Sequence, residues 1–125
     1  MNEEDKKRLT KDPDGLLTYE YIANHINNCF DDMDFLLDNM KQVDRTGQFL
    51  ASTARYLTAI DPQLYRPYIS AFIAATIDRD REHRYLADLL QGIWGDDYAE
   101  KAPQLAATDD NFRRIHKRLF PSGII

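Results

Sequence analysis

The chain has 125 residues, 43% of them hydrophobic and 30% charged, with a formal charge of −5. These are the length of one domain and the composition of a globular chain rather than a disordered one. The acidic balance excludes a broadly basic nucleic-acid coat, and the single cysteine, Cys29, excludes an internal disulfide. No stretch approaches the ~20 apolar residues of a membrane helix, and Met1 to Arg8 lacks the apolar core of a signal peptide, so a reduced, cytoplasmic setting is expected.

Residues 1–14 are almost wholly charged and read as a flexible arm closing in the turn Asp12-Pro13-Asp14-Gly15. From Leu16 the apolar residues Tyr19, Ile22, Ile26, Cys29, Met33, Leu36, Met40 and Val43 alternate steps of three and four. That rhythm predicts one long helix from Leu16 to Val43, about 42 Å at 1.5 Å per residue. Asp44-Arg45-Thr46-Gly47 ends it. A second helix follows over about 46–60, and Asp61-Pro62 and Pro67 punctuate the entry to a third, charge-free from Pro67 to Ile77. The polar run Asp78–Arg84 fits either a turn or exposed helix. Beyond it, Tyr85–Trp94 resumes an apolar face, Gly95 stops it, and Asp109 or Asp110 caps a last helix carrying Phe112, Ile115 and Leu119. No segment alternates apolar and polar residues as a strand would. The expectation is an all-α, single-domain bundle of five or six helices built on the long N-terminal one, spanning 15–121, with 122–125 as a short tail.

Sixteen of the 21 acids are Asp, a poor interior helix residue and a good cap, which suggests several short, capped helices. On the long helix Glu20, Asp31, Asp34 and Asp38 follow the three-four rhythm opposite the apolar seam, an acidic ridge suited to a basic partner. Its complement is the basic patch Arg113, Arg114, Lys117 and Arg118 near the C-terminus. With the short apolar segment before it, this patch also has a helix-turn-helix look, the basis of a DNA-binding alternative, although the acidic body argues against nucleic acid. Asp80 and His83, one helical turn apart, support a second alternative, a metal-dependent hydrolase or ribonuclease. One such pair falls short of a bundle metal site, and no nucleophile elbow or phosphate loop is present, so no catalytic residue, metal site or cofactor is assigned.

Between Thr46 and Ile77 only Arg55, Asp61 and Arg66 are charged. Helices so poor in charge need cover on more than one side. Together with the off-seam aromatics this points to a protein–protein interaction module that pairs with itself as a homodimer. The interface is assigned to Tyr21, Phe35, Phe49, Tyr56 and Tyr68.

Overall fold

The charged first fourteen residues contain a helix. In the computed structural model, which describes residues 1–121, α1 (Glu3–Thr10) opens on Asn2, whose side chain accepts the Asp5 N–H at 2.8 Å. Leu9, fully buried, anchors it to the core, and the Asn39 side-chain amide donates to the Leu9 carbonyl at 2.8 Å. The tail at 122–125 lies outside the described residues.

The long helix expected from Leu16 to Val43 is two. α2 (Leu16–Asn24) ends where His25 Nδ1 lies 2.8 Å from the Tyr21 carbonyl oxygen. A turn over 25–28 and a 3-10 turn, Phe30–Asp32, lead into α3 (Met33–Val43). Asn24, Asn27 and Asn28 cluster at the break, and their amides favour turn over helix. The apolar rhythm runs through unbroken because both halves face one core, with Ile22, Cys29 and Met33 all buried.

α4 (Gln48–Ile60), α5 (Arg66–Arg79), α6 (Leu86–Trp94), α7 (Ala102–Thr108) and α8 (Asp110–Leu119) complete the described fold. It is all-α, as expected, but has eight α-helices rather than five or six, and its N-terminal helix is only 8 residues long. The extra elements are α1, joined to α2 by a turn in which Asp12 accepts the Gly15 and Thr18 amides, and the second half of the divided helix. Pro67 sits in the first turn of α5, where its missing N–H costs nothing. Residues 80–85 are a turn, which separates α5 from α6.

α1 packs on α3 and α3 on α5; α2 packs on α3 and α4, α6 on α4, and α8 on α5, α6 and α7. The helices pack around α4 and α5, the most extensive helix pair. Their scarcity of charge is thus met within the chain: Leu50, Ala54, Leu57, Phe72 and Ile77 are fully buried.

Candidate functional site

Three turns repeat one device. Asp44, 1% exposed, accepts the Thr46 and Gly47 N–H groups on Oδ1 (3.1 and 2.9 Å) and those of Phe49 and Leu50 on Oδ2 (2.9 and 2.8 Å). Asp80 accepts from Arg84, Tyr85 and Leu86 N–H at 2.7–2.9 Å. Asp12 accepts from Asp14 and Gly15 N–H, and from both the N–H and the hydroxyl of Thr18. Burial pushes the Asp12 carboxyl up, but the hydrogen bonds from Gly15, Thr18 and Asp14 outweigh it and hold the group below its ordinary value. Three residues after each Asp stands a left-handed residue, Gly15 (φ 109°), Gly47 (φ 91°) and His83 (φ 59°).

The turns stack in a row. A β-carbon at Gly15 would stand 3.2 Å from Asp44 Cβ, and one at Gly47 would stand 3.2 Å from Asp80 Cβ. Each turn's glycine therefore lies against the next turn's aspartate. His83 occupies the last place: among the described residues no fourth turn of this kind follows, and a side chain is accommodated there. The repeat is legible in the chain as Asp12-x-x-Gly15-x-x-Thr18, Asp44-x-x-Gly47-x-x-Leu50 and Asp80-x-x-His83-x-x-Leu86. The histidine in the third copy hides it.

At this end of the bundle arginines gather. A cleft of about 250 Å³ between the second and third turns is lined by Arg45, Arg79, Arg81 and Arg84 together with Thr46, Asp80, Glu82 and Tyr85. A second cleft adjoins it, walled by Arg79 and Arg81 again and by Asp78 and Arg118. Glu82 pairs with Arg84 at 2.7 Å and Asp78 with Arg114 at 3.2 Å. Arg79 donates to the Lys41 carbonyl (2.7 Å) and Arg118 to the Ile77 carbonyl (2.8 Å). Among the described residues no carboxylate lies within 4 Å of Arg45, Arg79, Arg81 or Arg118. Asp80, flanked by two of them, is held away because both its oxygens face backbone amides. Composition alone did not reveal this site, since Arg45, Arg79 and Arg81 come from two distant turns.

The sequence-assigned residues come from several elements. Tyr21 is buried and stacks on His25, with ring centroids 3.9 Å apart. Phe35 lies under Lys6 Nζ, Phe49 and Tyr56 both pack against Tyr19, and Tyr68 meets Phe30 edge-on. The acidic ridge is divided by the helix break: Glu20 belongs to α2, Asp31 to the 3-10 turn, and Asp34 and Asp38 to α3, all four exposed. On α8, Arg113 pairs with Asp110 and Arg114 with Asp78, while Arg118 donates to the Ile77 carbonyl and Lys117 is exposed. For Asp80 and His83 the turn geometry accounts for both residues. Among the described residues no group of three or more His, Cys, Asp or Glu is placed to hold a metal ion. Cys29 is buried, and burial first, then Asp32, push its thiol up, which keeps it unreactive.

Fold and site together define an all-α bundle whose stacked turns carry an arginine-lined end. No family model, curated protein or solved structure matches this chain. No described helix is long and apolar enough to cross a membrane.

Proposed function

We propose that the chain is a protein–protein interaction module that docks an acidic segment of a partner at its arginine end. The observation that carries this reading is the set of four arginines, Arg45, Arg79, Arg81 and Arg118, that line two adjoining clefts and have no carboxylate partner among the described residues. Arginine forks match carboxylates in geometry, and stacked helical units supply a rigid surface on which to present them. A net charge of −5 opposes a long polyanion such as DNA far more than a short acidic segment. Arg113 and Arg114 pair with Asp110 and Asp78 within the chain, which leaves the DNA-binding reading of α8 with two of its four cations, Lys117 and Arg118.

The test is binding of a fluorescent Glu-rich peptide at low and moderate salt. It should bind, weaken with salt, and lose about tenfold or more in affinity on combined Arg45→Ala and Arg81→Ala substitution, both side chains being exposed. Unchanged affinity in that double variant, or preference for a DNA duplex over the peptide, would overturn the reading.

A second reading, self-association, rests on the opposite end. There Phe30, Ile60 and Leu64 remain 40%, 48% and 49% exposed, beside the exposed Asp31 and Asp61. Phe30 packs on Tyr65 and Tyr68, and Tyr65 donates to the Ile26 carbonyl, so these turns form one face with both apolar and acidic groups. Such a face is one source of an acidic segment for the arginine end of another copy.

A further inference from the structure

We infer that the cleft between the second and third turns holds a phosphomonoester dianion carried on a side chain of the docked partner, a step that rests on reading the arginine end as a docking surface. The charge balance of the cleft is the first argument. Four arginines (Arg45, Arg79, Arg81, Arg84) and two acids (Asp80, Glu82) line it, a formal charge of +2, with only Arg84 and Glu82 paired to each other. A single carboxylate would neutralise half of this. A phosphomonoester carries about −1.5 to −2 at pH 7 and offers three acceptor oxygens to the forks.

The second argument is that the usual competitor has been removed. Asp80 stands between Arg79 and Arg81 in the chain, yet its Oδ1 accepts from Arg84 N–H at 2.9 Å and its Oδ2 from Tyr85 and Leu86 N–H at 2.7 and 2.9 Å. A carboxylate committed to three amides does not close on the adjacent guanidinium groups, and among the described residues Arg79 and Arg81 have no carboxylate within 4 Å. The third argument is preorganisation. Arg79 is already oriented by the Lys41 carbonyl at 2.7 Å, and Gly47 packs against Asp80 with little room for a β-carbon between the two turns. Asp80 is here a positioning residue. Arg45, Arg79, Arg81 and Arg84 are the ligand contacts.

The experiment uses the full chain and follows the arginine Nε–Hε resonances at constant ionic strength. Phenyl phosphate is titrated at about pH 7.5 and, to convert dianion to monoanion, at about pH 5.5, with benzoate as the carboxylate probe. Phenyl phosphate should bind about tenfold or more tightly than benzoate, and its advantage should shrink at the lower pH. Arg81→Met and Arg45→Met should each weaken phosphate binding by about tenfold and leave the amide spectrum of α1 and α2 unchanged. Equal affinities for the two probes, or Met variants that bind phosphate as the native chain does, would overturn the inference.

A serine-phosphorylated acidic peptide and its unphosphorylated twin separate the two levels of the proposal. Tighter binding of the phosphorylated form supports both. Equal binding of the twins at the arginine end leaves the docking surface standing and refutes the dianion. Binding of phenyl phosphate with neither peptide refutes docking, and with it a partner as the carrier.

Discussion

Asp12, Asp44 and Asp80 show how much a buried carboxylate can organise when each oxygen finds amide donors. Asp12 makes this measurable through pH. Its carboxyl is held below the ordinary value of 3.8 in the folded chain, so its ionised form favours folding. That contribution is complete above the unfolded value and disappears as pH falls through the lower folded value. Chemical denaturation across acid pH should therefore show stability declining below about pH 4, with Asp12→Asn flattening that limb at the cost of about 1–3 kcal/mol near neutrality. An acid limb identical in the variant would mean that other carboxyls carry it. Asn39 extends the same network, donating also to the Thr18 hydroxyl at 3.0 Å and so tying the first turn to α3.

At the scale of the element, the left-handed position is equivalent in backbone and unequal in surroundings. Gly47→Ala places a β-carbon 3.2 Å from Asp80 Cβ on a backbone of φ 91°, and should cost roughly 2–4 kcal/mol. His83→Gly relieves a φ of 59° while loosening the unfolded chain, and should change stability by less than about 1 kcal/mol. Thermal denaturation of the two variants decides it; equal losses would mean that the third turn is packed like the second. The same asymmetry explains what the sequence concealed. Helix type, the turn at Asp44 to Gly47 and the entry of α5 near Pro67 follow from local signals, because caps and prolines act within one turn. The break at 25–28 does not, since Ile22, Ile26, Cys29 and Met33 keep helical spacing through a turn that leaves both flanks on one core. The arginine cleft was illegible for another reason: it joins residues of two turns some 35 positions apart.

For the whole molecule, the placement of turns at two ends separates chemistry that the net charge averages away. One end carries the arginine clefts; the other carries Phe30, Ile60 and Leu64 among carboxylates. If copies associate, contact of unlike ends is favoured, which makes association heterologous and sensitive to salt. Sedimentation velocity over a range of concentrations should then show mass increasing at low salt and reverting to a single chain at high salt, with Phe30→Ser and Leu64→Ser together suppressing the increase. A single-chain mass under every condition would refute self-association. The row of stacked turns has its own consequence. Because each glycine receives the aspartate of the following turn, the row has a direction, like bricks with a socket on one side only. A side chain larger than hydrogen at Gly15 or Gly47 would therefore press on two turns at once, whereas the last place already carries that of His83, so drift in sequence is freer at the end of the row than within it.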